Sequence, residues 1–315
     1  MTPDGFRMSP KGDCKPLTVP CGQCVGCRLE RSRQWAVRCT HEASLYSQNC
    51  FITLTYSPEY LPADRSLHYD DFQKFMKRLR FSYKGIDIVN GLRPIRFYMC
   101  GEYGEKLGRP HFHACIFNFD FPDKKLWMTT DSKSKIYRSA KLEELWPYGF
   151  SSIGEVNFQS AAYVARYIMK KINGKNADAH YEYVDTSTGE VFQRTPEFTK
   201  MSLKPGIAAG WFEKYSSDVY KFDSDGSCVK DSVTINNRKI KPPRYYDKLL
   251  KKSDSTDWIH PITGEVVTIS PQLEAVKFFR DDFIKNVLDD NTDARLAVKE
   301  QVTLAKLKLL KRNLT

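Results

Sequence analysis

The sequence predicts an α+β fold in which a central antiparallel sheet follows the element order β-α-β-β-α-β and is flanked by helices. Three observations support this fold: short segments of alternating polarity, helical segments with one apolar stripe, and a turn rich in Gly and Pro between two of the strands. The order is that of a split βαβ arrangement, in which an antiparallel sheet packs on two helices. The length of 315 residues allows one large domain, or a domain with accessory segments.

The first predicted helix spans residues 28–46, where apolar side chains recur at helical spacing. A strand follows over residues 51–56, in which two threonines alternate with apolar residues until Pro58 ends the pattern. The second helix is predicted to begin at Asp70 or Asp71, since aspartate is a favourable N-cap residue. Its apolar stripe comprises Phe72, Phe75, Met76 and Leu79.

Two more strands are predicted over residues 94–100 and 111–117. The segment between them, G-E-Y-G-E-K-L-G-R-P, contains three glycines and a proline, so the two strands should form a hairpin. A short helix over residues 139–146 and a strand over 150–158 complete the six-element order.

A last helix is predicted to begin after Ser160 as its N-cap and to end near Ile172. The pattern loosens past Gly174. We therefore divide the chain into a Cys-rich N-terminal segment (1–27), a main domain (28–175), an irregular accessory region (176–270) and a helical C-terminal tail (271–315). The tail has apolar residues at helical spacing and a basic end, and we expect it to pack on its own domain rather than to bind DNA.

The charge balance favours a polyanionic partner. The chain has 49 Lys and Arg against 38 Asp and Glu, a formal net charge of +11, and this suits nucleic acid. No apolar stretch is long enough to cross a membrane, and the first 20 residues have no apolar signal region, so we expect a cytoplasmic protein with no membrane partner. Nine cysteines, an odd number, argue against a disulfide framework.

A possible metal site lies on the predicted hairpin. His111 and His113 are two residues apart on a strand, so both imidazoles leave the same face. Glu102 ends the preceding strand and should lie about opposite His111. Two imidazoles and a carboxylate with open positions fit Mg²⁺ or Mn²⁺ acting on a phosphate, although imidazole also suits zinc or iron. The alternative is a pair of half-buried strand histidines.

The last predicted helix carries a row of polar side chains. Tyr163, Tyr167 and Lys170 share one face at helical spacing, and we expect that face to point away from the core. A phenol with a pKa near 10 is a weak nucleophile at neutral pH, and Lys170, with Arg166 and Lys171 nearby, can supply the positive charge that assists it. The alternative is an amphipathic helix whose tyrosines pack at a sheet edge.

Four cysteines near the start predict a structural zinc site. Cys21, Cys24 and Cys27 have the spacing of a zinc knuckle, and Cys14 precedes them by seven residues. The alternatives are reduced thiols without a metal and an iron-sulfur cluster. The cysteines inside predicted elements are expected to be buried: Cys39, Cys50, Cys100 and Cys115.

Three segments together resemble the motifs of the His-hydrophobe-His (HUH) endonucleases, in the same order. They are T-L-T (53–55), H-F-H (111–113) and Y-V-A-R-Y-I-M-K-K (163–171). The framing segments P-C-G-Q-C-V-G-C-R and M-C-G-E-Y-G-E-K-L-G-R-P-H-F-H resemble the replication initiation proteins of the gokushovirus group of microviruses. The resemblance covers about residues 20–175, with a weaker match in M-S-L-K-P-G-I and P-P-R-Y-Y-D.

The resemblance implies a two-tyrosine HUH endonuclease domain over residues 28–175. His111 and His113 are then metal ligands, with Glu102 as the third ligand, or Glu105 if the hairpin register differs. Tyr163 or Tyr167 would attack single-stranded origin DNA, leaving a free 3′-hydroxyl and a 5′-phosphotyrosine. The second tyrosine would cut the regenerated origin after one round of rolling-circle synthesis, so that a circular genome is released.

The expected partners follow from the same resemblance. The substrate is single-stranded or supercoiled phage origin DNA in the host bacterial cytoplasm. No G-x-x-x-x-G-K-[ST] segment occurs, so unwinding should need a host helicase, and extension a host polymerase. Six basic residues are candidates for phosphate contacts: Lys74, Lys77, Arg78, Arg80, Arg166 and Lys171.

Three other functions remain open. The same chemistry could serve a single-strand transposase or a plasmid initiator. A non-catalytic RNA-recognition-like module would instead stack bases on aromatic residues of the central strands, such as Phe97 and Tyr98. A zinc-based DNA-binding regulator would use the cysteines but leaves residues 50–172 unexplained.

Overall fold

In the computed structural model, the described residues are 20–83, 94–105, 107–131, 133–166, 171–172, 174, 177–259, 266–287 and 293–309. The helices are α1 (Val25–Ala43), α2 (Tyr69–Ser82), α3 (Ala140–Leu145), α4 (Phe158–Arg166), α5 (Ala177–Tyr181), α6 (Ala209–Val219), α7 (Arg244–Asp254), α8 (Pro271–Val287) and α9 (Asp293–Leu309). The strands are β1 (Asn49–Tyr56), β2 (Arg96–Tyr103), β3 (Pro110–Phe117), β4 (Lys125–Thr129), β5 (Lys135–Arg138), β6 (Gly149–Gly154), β7 (Glu182–Val184), β8 (Val191–Gln193), β9 (Phe198–Met201), β10 (Tyr220–Phe222), β11 (Cys228–Asp231), β12 (Val233–Ile235), β13 (Arg238–Ile240), β14 (Thr256–Ile259) and β15 (Val266–Ile269).

Within the described chain, seven strands form one sheet in the order β4-β5-β6-β1-β3-β2-β9, and every neighbouring pair is antiparallel. The predicted α+β class and the antiparallel sheet are therefore confirmed. The sheet is wider than the sequence indicated, because β4 and β5 form an extra hairpin between β3 and α3, and β9 joins the outer edge of β2. The remaining strands pair as short two-stranded hairpins.

The alternation of side chains along each strand gives the sheet two different sides. On the α2 side, apolar residues such as Leu54 and Phe112 pack under α2 and α3. The apolar stripe predicted for α2 is buried there as expected. On the α1 side, residues such as Phe51 and Tyr98 pack under α1 and α4.

Two predicted helix starts are wrong. The second helix begins at Tyr69, and Asp71 does not cap it but accepts a hydrogen bond from the Tyr56 hydroxyl (2.9 Å). The last helix begins before Ser160, because Asn157 is its cap: the Asn157 Oδ1 accepts from the Ser160 N–H (2.8 Å), and the Ser160 Oγ accepts from the Asn157 N–H (2.8 Å). This reciprocal pair satisfies two backbone donors at the helix start.

The C-terminal half packs on the outer side of α1. Residues of α1, α6, α7 and α8 form a third apolar cluster, in which Val276 of α8 is fully buried. Arg280 of α8 forms ion pairs with Asp231 and Asp247 (2.5 and 2.9 Å). The first helix of the predicted tail therefore docks on the rest of the chain. The boundaries at 27, 175 and 270 stay predictions, and within the described residues no helix is long and apolar enough to span a membrane.

Candidate active site

The candidate metal ligands converge at the end of the β2–β3 hairpin, on the α1 side of the sheet. The strand register pairs Glu102 with His111. The Glu102 Oε1 lies 2.6 Å from the His111 Nε2 and 3.1 Å from the His113 Nε2. Glu105, the alternative ligand, lies in the exposed turn beyond β2. One carboxylate oxygen and two imidazole nitrogens thus lie within 4.8 Å of one another.

Each histidine is also held through its other ring nitrogen. The His111 Nδ1 lies 3.0 Å from the Arg109 carbonyl oxygen, so Nδ1–H donates there and the Nε2 lone pair is left for an ion. The His113 Nδ1 lies 2.9 Å from the Thr53 hydroxyl on β1. Such contacts fix the ring orientation of metal-binding histidines and raise metal affinity.

The Glu102 carboxylate is ionised in this setting. Its burial alone would raise its pKa, but hydrogen bonds from His111 and His113, together with their charges, lower the pKa to about 2. The site therefore presents a negatively charged oxygen beside two imidazoles at neutral pH. This donor set fits a divalent cation.

Tyr163 of α4 contacts this cluster directly. Its ring packs edge-on against the His113 ring, with 5.2 Å between ring centroids, and Phe51 contacts both rings. Only 6% of Tyr163 is exposed. The expectation that the tyrosine face points away from the core is therefore wrong for this residue. The reason is that α4 lies between the sheet and α1, where the Ser32 hydroxyl donates to the Ala162 carbonyl oxygen (3.3 Å).

The other predicted residues of this helix are placed only in part. Tyr167 and Lys170 lie outside the described residues. Arg166, the last described residue of α4, is half-buried. The backbone oxygen of Lys171 accepts a hydrogen bond from the Arg28 guanidinium of α1 (3.1 Å), which ties the segment after α4 to α1.

The basic residues predicted on α2 lie on the opposite side of the sheet from the histidines. Lys74 pairs with Asp71 (3.2 Å), and Lys77 is exposed. Arg78 donates to the Leu145 carbonyl oxygen (2.9 Å), and Arg80 donates to the Ile95 carbonyl oxygen (2.9 Å). The structure thus separates these four residues from Glu102, His111 and His113.

The N-terminal cysteines form a second cluster. The sulfur atoms of Cys21, Cys24 and Cys27 lie within 4.8 Å of one another, at the start of α1. The Cys24 N–H donates to the Cys21 sulfur (3.3 Å), and this and further backbone hydrogen bonds lower the pKa of Cys21 to about 7. Cys14 lies outside the described residues, and the four cysteines predicted to be core residues are buried.

The sequence analysis missed a cleft beside the candidate active site. The cleft has a volume of about 290 Å³ and lies between the β4–β5 hairpin, the end of β6 and the start of α4. Its lining includes Lys133, Lys135, Glu155 and Asn157, and also Phe51, which contacts His113 and Tyr163. A basic stretch between residues 124 and 138 was the available signal.

Comparisons with known proteins agree with the sequence motifs. A family model described as replication-associated protein ORF2/gene-2 protein matches residues 49–172. The chain is 35% identical over 246 residues to the replication-associated protein VP4 of Bdellovibrio phage phiMH2K, covering 77% of this chain and 70% of that protein. It is 32% identical over 240 residues to the replication-associated protein ORF2 of Spiroplasma virus 4, covering 75% of this chain and 68% of that protein.

A third relative is more distant. The chain is 30% identical over 244 residues to the replication-associated protein ORF4 of Chlamydia phage 1, which covers 76% of this chain and 55% of that protein. No solved structure matches the chain.

Proposed function

Because the chain belongs to the family of replication-associated proteins of small phages, we propose that it initiates rolling-circle replication by nicking single-stranded origin DNA. The observation that carries this proposal is the packing of Tyr163 against His113, one of three groups that converge on a common point. A nucleophile and a phosphate-binding ion then lie on adjacent elements. This arrangement suits attack by a tyrosine on a phosphodiester.

The residues present fit a divalent cation. One ionised carboxylate and two neutral imidazoles suit Mg²⁺ or Mn²⁺ at an open site, and the bound ion would polarise the scissile phosphate as a Lewis acid. Glu102, His111 and His113 would hold it. Thr53 and the Arg109 carbonyl oxygen would keep the two imidazoles in the required orientation.

The chemistry of the chain is a transesterification. The phenol oxygen of Tyr163, or of Tyr167, forms a bond to phosphorus as the phenol loses its proton. The bond from phosphorus to the 3′ oxygen breaks, and that oxygen takes up a proton to become a free 3′-hydroxyl. The ester energy is kept in the 5′-phosphotyrosine, so the second tyrosine can cut again and the strand can be rejoined. Lys170 would supply positive charge to the phenol and the phosphate.

The geometry favours this function over a non-catalytic RNA-recognition-like module. Such a module stacks bases on exposed aromatic residues of its central strands. Here Tyr98 is fully buried beneath Trp35 of α1, with 4.6 Å between the ring centroids. Phe97, on the α2 side, is 8% exposed and packs against Phe72. The central strands therefore offer no stacking surface at these positions.

A structural zinc ion at the start of α1 is part of the same proposal. A tetrahedral zinc ion with Zn–S bonds of about 2.3 Å separates its sulfur ligands by about 3.8 Å. The sulfur atoms of Cys21 and Cys27 are 3.9 Å apart. Cys21, Cys24 and Cys27 would hold the ion, with Cys14 as the fourth thiolate that the sequence predicts. Arg28, which follows directly, ties α1 to the Lys171 backbone.

Metal content tests the zinc site without an activity assay. The purified full chain should contain one zinc per molecule by plasma mass spectrometry, and Cys24→Ser should lose it. The matched control is Cys228→Ser, because Cys228 lies on β11, outside the cluster. Cys14→Ser separates a four-thiolate site from a three-thiolate site. Wild-type chain that takes up no zinc at stoichiometric concentration would exclude the site.

Other parts of the proposal concern partners. We propose that the substrate is phage origin DNA in the host bacterial cytoplasm, and that a host helicase and a host polymerase complete the replication cycle. The names of the relatives indicate replication and no more than that. A transposase or a plasmid initiator would use the same chemistry, but the relatives found are phage proteins.

The decisive experiment is a cleavage assay with single-stranded oligonucleotides that tile the phage origin, in the presence of Mn²⁺ or Mg²⁺. A covalent adduct on a denaturing gel is expected for the wild type and for each of Tyr163→Phe and Tyr167→Phe, but not for the double variant. Tyr60→Phe is the matched control, because Tyr60 is exposed and lies outside the candidate site. An adduct that persists in the double variant, or no adduct with any origin fragment, would refute the proposed nickase.

A further inference from the structure

Resting on the proposed function, we propose that the β4–β5 hairpin and the cleft at its base bind the single strand beside the scissile phosphate. The hairpin is absent from the six-element order that the sequence predicted. It extends the sheet beyond β6. Its ligand is a single-stranded DNA segment, held by backbone phosphates and by stacked bases.

The cleft connects the hairpin to the candidate active site. Phe51 lines the cleft and also contacts His113 and Tyr163, with ring centroids 5.7 and 6.3 Å apart. Asn157 and Ser160, at the start of the helix that carries Tyr163, line its opposite wall. A volume of about 290 Å³ is close to that of the smallest ligand pockets, about 300 Å³, and suits one nucleotide.

The charges on the hairpin suit a phosphate backbone. Lys125, Lys133 and Lys135 are exposed, and none of them has an ion pair among the described residues. The other two basic residues of this stretch are used within the protein: Lys124 pairs with Asp120, and Arg138 pairs with Glu143. The unpaired lysines therefore give this end of the sheet a positive surface, although Glu155 also lines the cleft.

Exposed apolar side chains lie among these lysines. Trp127 and Met128 of β4 are 58% and 43% exposed, and Phe150 of β6 is 54% exposed. Phe150 pairs with Thr55, which pairs with His111, so it lies on the α1 side of the sheet. Large apolar side chains facing water among basic residues are typical of surfaces that stack bases and contact phosphates of a single strand.

The position of the α2 lysines supplies a matched control. Lys74 and Lys77 carry the same charge as Lys133 and Lys135, but they lie on the opposite side of the sheet. A non-specific electrostatic effect would respond equally to the loss of either pair. A binding track would respond only to the loss of the hairpin pair.

The test measures binding by fluorescence anisotropy of a labelled oligothymidylate, in metal-free buffer, so that no cleavage is needed. Lys133→Ala/Lys135→Ala should weaken binding and should lower the slope of log affinity against log salt by about 1.4, since each phosphate contact on a single strand contributes about 0.7. Lys74→Ala/Lys77→Ala should leave both quantities unchanged. Equal losses in the two double variants would overturn the proposal.

Stacking is tested separately. Trp127→Ala and Phe150→Ala should each weaken binding at least about fivefold, and Trp127→Phe should restore most of the affinity, because any aromatic ring can stack on a base. Unchanged melting temperatures would show that the variants are folded. If duplex DNA competes as well as the single strand, or if Trp127→Ala binds like the wild type, the hairpin is not a single-strand track.

The two proposals fail in different ways. If the hairpin variants weaken binding but the wild type forms no adduct, the track stands and the nicking chemistry fails. If adducts form and binding does not depend on the hairpin, the nicking chemistry stands and the track fails.

Discussion

The two sides of the central sheet differ in what their buried side chains do. The α2 side is an apolar core rich in aromatic rings, in which Phe72, Phe112 and Trp146 are fully buried and in mutual contact. The α1 side buries charged and polar groups, including Glu102 and His113. One side therefore supplies most of the apolar stabilisation, and the other can hold an ion and a nucleophile.

The strand β3 divides these roles between neighbouring residues. Phe112 faces α2, whereas His111 and His113 face α1. This division can be tested by changing one residue at a time along the same strand. Changes on the α1 side should affect chemistry more than stability, and changes on the α2 side should do the reverse.

The largest effect is expected at His111. His111→Ala should lower adduct formation about 10³-fold or more, since loss of a ligand to the catalytic ion removes several kcal/mol of transition-state stabilisation. The unfolding midpoint in urea should change little. His68→Ala is the control, because His68 is partly exposed and its partner is Asp64 on the other side of the sheet. Normal adduct yields from His111→Ala would remove His111 from the metal site.

The converse change is Phe112→Ala. Removing a fully buried phenylalanine should lower the free energy of unfolding by about 4 kcal/mol. Below the new unfolding midpoint, the variant should still form the adduct. The comparison is with Phe81→Ala, because Phe81 is 81% exposed and its loss should change stability by less than about 0.5 kcal/mol.

A third prediction concerns pH and the helix that covers the α1 side. Burial lowers the pKa of His41 to about 4, and His41 lies between the Tyr246 hydroxyl (2.6 Å) and the Trp211 ring. The unfolded chain, with a pKa near 6.5, binds the proton more readily. The contribution of His41 is therefore complete above about pH 7 and is lost as the pH falls towards 4.

Between pH 7 and pH 5, this group alone should lower the free energy of unfolding by about 2 kcal/mol. Urea unfolding at several pH values measures the slope, and His41→Gln should flatten it, whatever its effect on absolute stability. An identical slope in the variant would mean that other groups cause the pH dependence.

The smallest effect is expected at Thr53. Thr53→Val keeps the shape of the side chain but removes the hydroxyl that contacts the His113 Nδ1. Manganese affinity, measured by calorimetry, should fall about tenfold, as is usual when a contact that orients a metal-binding histidine is lost. Ser152→Ala, on the strand next to Thr53, is the comparison and should bind manganese like the wild type.

Part of this architecture could be predicted because its signals are local. Strand alternation places His111 and His113 on one face, and a single hairpin turn sets Glu102 opposite His111. The stripe of α2 follows from its spacing. These features depend only on residues close together in the sequence.

Other features depend on contacts that no local pattern encodes. The orientation of Tyr163 is set by α1, which covers the opposite flank of α4 and so turns the tyrosine towards the sheet. The helix start at Asn157 depends on a reciprocal cap that competes with the predicted cap at Ser160. The position of the α2 lysines, on the side of the sheet away from the histidines, likewise becomes visible only when the whole sheet is assembled.

The late strand β9 has a consequence for the order of synthesis on the ribosome. It pairs with β2, the strand that ends in Glu102, and the Phe97 N–H donates to the Ser202 hydroxyl, 105 residues later. During translation, one edge of β2 therefore lacks its partner until this distant segment emerges. The nascent chain gains the complete sheet only after the residues that carry its chemistry have all been made, which delays any reaction with DNA until the protein is nearly finished.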